Sequence, residues 1–256
     1  MAPPTGENAK VRAAHRRFSI LGVLGEVLVT TGVFVFLFLG WQLGLNDVIV
    51  GSEQDAQGAQ LSQRFLRDAP RESVAPAGSP KIDFGEPVIT RVSAPDEKFA
   101  NVYIPRFGKD FVRTVAEGVD SGTALRSGIG HYPGTQMPGE IGNFALAAHR
   151  TTYGAPFNRI ADLQVGDKIF VQTGNGWYVY TFRSMEYVRP SVVAVTYAVP
   201  QQAPNFRAID RIMTMTSCNP QLSAAERIVA YSVFDFWQPL TAGTPTGLMI
   251  PGEGRQ

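Results

Sequence analysis

The chain has 256 residues, enough for one domain of moderate size with extensions or for two small ones. Lys plus Arg is 23 and Asp plus Glu is 22, so the formal charge of +1 provides no field to gather nucleic acid, and 44% hydrophobic against 18% charged residues excludes a wholly disordered chain. One cysteine and three histidines exclude an internal disulfide framework and a Cys/His zinc finger.

Residues 1–17 carry Lys10, Arg12, Arg16 and Arg17 against Glu7 alone and read as a basic cytoplasmic tail. The chain then turns apolar over 18–45, which predicts one transmembrane anchor. Its uncharged stretch, 27–45, is 19 residues, and at about 1.5 Å each that is about 29 Å, close to the hydrocarbon thickness of a bilayer. Asp47, Glu53 and Asp55 come before the next cation, Arg64, so the positive-inside rule keeps the tail inside and places the rest of the chain outside the cell. Trp41 suits the outer interface. A cleaved secretory signal has an apolar run of about 7 to 15 residues followed closely by a small-x-small site. Here the nearest such site, Ala56-Gln57-Gly58, lies well past the helix, and an uncleaved anchor is favoured. Residues 46–86, rich in Gln, Ser, Ala, Gly, Asp and Pro, read as a flexible linker holding a domain about 35 Å from the membrane. Residues 241–256 read as a disordered tail.

The remaining residues, 87–240, suffice for one core and read mostly as strands. Runs 168–173 and 177–181, joined by Gly174-Asn175-Gly176, predict a hairpin. Further extended runs are 88–92, 101–104, 144–149, 185–188, 212–218 and 227–236, about eight strands in all. Helical signals are confined to 111–117, a turn near 156–163 and 204–210. Short strands separated by Gly/Pro turns argue for an all-β closed barrel or sandwich.

Cys218 ends the run Thr214-Met215-Thr216-Ser217-Cys218 and is followed by Asn219-Pro220, which stops the strand. His149 ends the run Asn143-Phe144-Ala145-Leu146-Ala147-Ala148-His149, again where an apolar strand meets a polar loop. Arg227 opens the strand that begins Arg227-Ile228-Val229. Taken singly, each has a plainer reading: a packed thiol, a structural imidazole, a solvated edge cation. Together they supply a nucleophile, a proton carrier and a fixed cation for an oxyanion, the needs of acyl transfer. An ordinary thiol is about 3% thiolate and an ordinary imidazole about one quarter protonated at pH 7, so independent titration leaves under about 1% in the ion-paired form. Catalysis then requires a slow turnover or a site that favours the pair. The sequence assigns no Asp or Asn to orient the imidazole, and a papain-like triad is unsupported.

The ordered set of His149, the Thr214–Cys218 strand end and Arg227 nine residues later resembles a sortase. The family's T-L-x-T-C pattern is altered by Met215 for Leu and Ser217 for Thr, changes that keep an apolar side chain and a hydroxyl. His131-Tyr132-Pro133-Gly134-Thr135, with the stretch from Gly142 through Phe157, is similar to the class E housekeeping sortases of high-GC Gram-positive bacteria. The resemblance implies an eight-stranded sortase-type β-barrel and a two-step cysteine transpeptidation. Cys218 is then the nucleophile on the Thr–Gly bond of an LAxTG-type C-terminal sorting signal, His149 the proton carrier and Arg227 the oxyanion cation. It implies as partners exported proteins bearing that signal and a cell-wall peptide amine as acceptor, with Tyr132, Thr216 and Ser217 as substrate-binding candidates. No cofactor is expected, and the scattered acidic residues predict no metal site.

Two other enzyme classes are a pilin-polymerising sortase, disfavoured by the lack of a lid motif before Pro87 and of a second hydrophobic span after Leu240, and an L,D-transpeptidase, whose H-x-x-x-S-x-G-C core is missing. A membrane-tethered binding module with a merely buried Cys218 is the non-catalytic alternative.

Overall fold

The computed structural model describes residues 19–41, 46–70, 83–92 and 94–250. The basic tail and parts of the expected linker and C-terminal tail lie outside the described residues.

Helix α1, Ile20–Gly40, has 21 residues, none of them buried, and a peak mean hydropathy of 2.2. At about 1.5 Å per residue it is long and apolar enough to cross a membrane. It is a separate unit from the rest of the chain.

The second unit is built on eight strands: β1 Lys98–Tyr103, β2 Val112–Glu117, β3 Ile129–His131, β4 Gly142–Ala147, β5 Lys168–Thr173, β6 Gly176–Val188, β7 Arg211–Asn219 and β8 Glu226–Pro239. They close into a barrel in the order β1-β2-β3-β4-β7-β8-β6-β5. Pairing is parallel between β2 and β3 and between β4 and β7, and antiparallel elsewhere.

Successive side chains on a strand point to opposite faces, so alternate positions fill the barrel. Phe144, Leu146 and Ala148, Met213 and Met215, and Ile228 and Ala230 all belong to the main interior cluster. Their neighbours face outward. On the β1, β2, β5 and β6 side some of these neighbours form a second apolar cluster, Tyr103, Val112, Phe170, Trp177 and Val179, which the flanking segments cover.

The flanks are where the structure departs most from the reading of the sequence. The linker expected over 46–86 is in part a helix, α2, Asn46–Asp68, which packs on β2. Its buried positions Gly51, Gln54, Gly58 and Ser62 recur at helical spacing yet are small or polar, so no apolar stripe announced them. The docking is by shape and hydrogen bonds instead. The Asn101 amide donates to the Gly58 carbonyl at 2.9 Å, the Val112 N–H donates to Asp55 Oδ1 at 3.0 Å, and Arg113 pairs with Asp55. A Cβ at Gly58 would lie 2.7 Å from Val112 Cγ2, so only glycine allows this approach.

The folded domain also starts before the expected boundary at Pro87. Phe84 and Val92 pack on the interior cluster, Trp237 Nε1 donates to the Gly85 carbonyl at 2.7 Å, and the Tyr178 hydroxyl donates to the Val88 carbonyl. Residues 88–92, expected as a strand, form no ladder; side chains of Tyr178 and Asn175 hold this segment through Val88 and Thr90. At the other end the expected disordered tail is ordered as far as residue 250: Leu240 and Ile250 are buried, and Leu248 packs beside them.

Within the barrel, 111–117 is strand β2 rather than helix, since pairing with β1 and β3 suits its β-branched residues. Runs 177–181 and 185–188 are one strand, β6, with a register shift between Phe182 and Ser184. Residues 204–210 are not helical, and β3 had no counterpart among the expected strands.

Candidate active site

Alternation on β4, β7 and β8 decides which side chains reach the outer face. Met213 and Met215 point inward, so Thr214, Thr216 and Cys218 point outward. Ile228 and Ala230 point inward, which turns Arg227 outward, and Cys218 and Arg227 are direct partners across the antiparallel pair. On β4, Phe144 and Leu146 point inward and leave Asn143, Ala145 and Ala147 outside. The parallel register pairs Ala147 with Thr216, and the Ala148 N–H donates to the Thr216 carbonyl at 3.2 Å. The β4 pairing therefore runs on to His149 at the level of Cys218. The structure thus gathers Cys218 and Arg227, on the paired ends of β7 and β8, and His149, two residues past the end of β4, at one end of the barrel.

Their individual environments differ. Cys218 is a free, half-buried thiol. The Arg227 guanidinium donates to the Ala224 and Glu226 carbonyls at 3.1 and 3.0 Å, which anchors it over the turn between β7 and β8. His149 stacks at an angle on Tyr153, ring centroids 4.9 Å apart, and its carbonyl accepts from the Phe157 N–H at 3.1 Å. Its Nε2 is buried and has no hydrogen-bond partner among the described residues. Burial pushes the imidazole below its ordinary pKa, and the Asp47 carboxylate opposes that shift.

Tyr132 and Thr216 meet: the two hydroxyls are 2.9 Å apart, and Thr216 also donates to the Leu146 carbonyl at 3.2 Å. They sit on the outer face beside the small side chains of Ala145 and Ala147. Ser217 departs from its expected substrate-binding place. It is 3% exposed, points to the opposite face from Cys218, and donates to the Ala148 carbonyl at 2.8 Å, so it ties the ends of β4 and β7 together. His131 is also structural: buried, with Nδ1 2.6 Å from Glu117 and Nε2 2.9 Å from the Thr135 hydroxyl.

Two residues without a role in the sequence reading join the site. Arg150, 7% exposed, donates through Nε to the Asn158 carbonyl at 3.0 Å and through Nη1 to the Cys218 carbonyl at 3.3 Å and Asn219 Oδ1 at 3.1 Å. It clamps the residue after the imidazole to the backbone of the thiol. A buried arginine is legible in sequence only as an adjacent cation. Asp47, in the first turn of α2, accepts from the Gly154 N–H at 3.3 Å, and nothing in the sequence links it to a histidine 102 residues later.

A cavity of about 370 Å³ opens elsewhere, between β6, β8 and residues 199–201, and contains none of the three site residues. The three residues are half-buried at strand ends.

The model of the Sortase domain family matches residues 102–234, just over half of the chain. Sortase SrtE1 of Streptomyces coelicolor is 32% identical over 233 residues, which cover 88% of this chain and 60% of that protein, so the chain spans about three fifths of this relative's length. The crystal structure of Sortase E1 from Streptomyces coelicolor with a tripeptide in the active site superposes with a TM-score of 0.56 at 36% identity, covering 62% of this chain and 100% of that one. The SrtA sortase of Actinomyces oris gives a TM-score of 0.59 at 31% identity, with 65% and 96% covered.

Proposed function

Since this chain belongs to the sortase family of cysteine transpeptidases, we propose that it cleaves an LAxTG-type C-terminal sorting signal between Thr and Gly and transfers the protein to a cell-wall peptide amine. The observation that carries this reading is the common outward face of His149, Cys218 and Arg227 at one barrel end.

The Cys218 thiolate attacks the Thr carbonyl carbon. The resulting oxyanion is held by the Arg227 guanidinium, whose strand register opposite Cys218 suits that task. Collapse breaks the C–N bond, and the departing Gly nitrogen takes a proton from the His149 imidazolium, leaving a thioester and a neutral imidazole. The acceptor amine then attacks the thioester, His149 takes its proton, and Cys218 leaves as thiolate, which restores the starting pair. Arg150 holds the Cys218 carbonyl and keeps the thiol at the level of the imidazole. Ala145, Ala147 and Thr216 are buried, so an extended peptide would approach Cys218 at the strand ends, flanked by the Tyr132–Thr216 pair.

Helix α1 serves as a single-pass membrane anchor, with residues 1–17 in the cytoplasm and the barrel on the outer side, where exported substrates emerge.

The test is intact mass spectrometry of the full chain in detergent, incubated with an LAETG peptide, beside Cys218→Ala. The expected result is an adduct of the peptide's acyl part on the wild type and none on the variant. An adduct with LPETG alone removes the LAxTG assignment, and none with either peptide on a folded chain overturns the transpeptidase reading.

A further inference from the structure

The segment that precedes the barrel reaches the imidazole. Helix α2 contacts the loop after His149 at successive turns of its buried stripe. Asp47 Oδ1 accepts from the Gly154 N–H at 3.3 Å, and Gln54 Nε2 donates to the Tyr153 carbonyl at 2.9 Å and to the Arg126 carbonyl at 3.4 Å. A Cβ on Gly154 would lie 2.8 Å from Gln54 Oε1 and 3.0 Å from the Gly51 nitrogen, so helix and loop are in backbone contact. Tyr153, held at φ 53° within this seat, stacks on His149, while the Arg126 guanidinium covers the Tyr153 ring at 5.7 Å.

We propose that Asp47 is a positioning residue for His149, fixing the His149 loop through Gly154 and placing a carboxylate near an imidazole whose buried Nε2 has no hydrogen-bond partner among the described residues. The inference rests on the transpeptidase reading for its catalytic meaning. Burial disfavours a positive charge on the ring, and a carboxylate offsets it. The cations ranged around the site are Arg227 on β8, Arg150 in the clamp and Arg126 over Tyr153. The other titratable neighbours are Tyr153 in the loop and Cys218 on β7. Asp47 is the carboxylate whose charge bears on His149. Burial of the carboxyl pushes its own pKa up, against the pull of the Gly154 N–H and the imidazole.

The active form needs an imidazolium beside a thiolate. Removing the Asp47 charge makes the imidazolium less favourable, so the ion-paired fraction falls and the acid limb of the rate profile moves to lower pH. A residue that merely held the helix would change the amount of folded enzyme and leave the limb where it was.

The test uses the full chain in detergent with ¹³C-labelled histidine, comparing wild type, Asp47→Asn and Asp47→Glu, with His149→Gln to assign the resonance. In Asp47→Asn the His149 titration midpoint is expected to fall, and the acylation rate at neutral pH to fall by about 3- to 10-fold, the change that a shift of about half a unit to one unit produces. Asp47→Glu is expected to restore most of both. An unchanged midpoint in a folded Asp47→Asn overturns the inference. A shifted midpoint with an unchanged acylation profile overturns its catalytic meaning. A wild type that titrates with the expected coupling but acylates with no sorting peptide upholds the charge contact and defeats the transpeptidase reading instead.

Discussion

The outer wall of the barrel is built in two ways. On the β1, β2, β5 and β6 side it presents Tyr103, Val112, Phe170, Trp177 and Val179, large apolar groups that Phe65, Leu240, Leu248 and Ile250 cover. On the β4, β7 and β8 side it presents Ala145, Ala147, Thr214, Thr216, Cys218 and Arg227, small or polar groups at the same outward positions. Both walls back onto one continuous interior cluster. An outward apolar position needs a permanent cover, and the chain supplies one from its own flanks. On the other wall Asn143, Ala145 and Thr214 are covered as well, with Asn143 donating to the Val195 and Tyr197 carbonyls, and exposure begins only toward Cys218 and Arg227 at the strand ends, where small and hydrogen-bonding groups tolerate water.

The sharpest way to break this contrast is to cut each wall once. Trp177→Ala, at a position that is 0% exposed, is expected to cost about 3 to 5 kcal/mol of stability by urea unfolding, whereas Cys218→Ala at the half-buried strand end leaves stability close to that of the wild type. Equal losses would show that the strand end is also structural. The next effect in size is at the clamp. Arg150→Met removes the hydrogen bonds to the Cys218 and Asn158 carbonyls and is expected to cost about 1 to 3 kcal/mol, with acylation falling more steeply than the folded fraction. A fall in acylation that merely tracks unfolding would reduce Arg150 to a packing residue.

Tyr132→Phe removes only the hydroxyl that meets Thr216. Thr216 keeps its bond to the Leu146 carbonyl, so stability should change by under about 1 kcal/mol while peptide acylation falls by about fivefold. No change in acylation would remove Tyr132 from the substrate face. The smallest effect concerns pH. Burial holds the folded His149 below the ordinary imidazole value, so the unfolded chain binds the proton more readily. Its contribution is then fully present above about pH 6.5 and is lost as pH falls toward the folded value. Urea unfolding at pH 7.5 and 5.5 is expected to show a larger drop for wild type than for His149→Gln. Asp47, raised by burial, works in the opposite direction, with stability lost as pH rises from about 3.8 through its folded value.

Legibility in the sequence did not follow the two walls. The hairpin of β5 and β6 and the runs that became β1, β4, β7 and β8 were readable because alternation or β-branched runs mark them locally. β3, three residues long, is too short to carry a pattern, and β2 was read as helix because its strand character comes from its two neighbours in the barrel. Helix α2 was read as linker because its buried face, Gly51, Gln54, Gly58 and Ser62, docks by close approach and hydrogen bonds, which leave no hydrophobic period. Cys218, His149 and Arg227 stand out in the sequence because each ends or opens an apolar strand, and the structure places them at neighbouring strand ends. Ser217 was misplaced by its nearness to Cys218 in sequence, since adjacent residues on a strand face opposite ways.

Sequence alone thus determined the apolar N-terminal helix and the β class of the domain, and it singles out three residues at strand ends whose types suit acyl transfer. All of these are local patterns of polarity, shape and spacing. Only the tertiary structure decided that the three strand ends meet, that Arg150 clamps the thiol backbone, that α2 closes on the imidazole loop through Asp47, and that the two flanks cover the aromatic wall. Each of these joins residues distant in the chain through register and close packing, and the free energy of such contacts belongs to the pair rather than to either residue's neighbourhood in sequence.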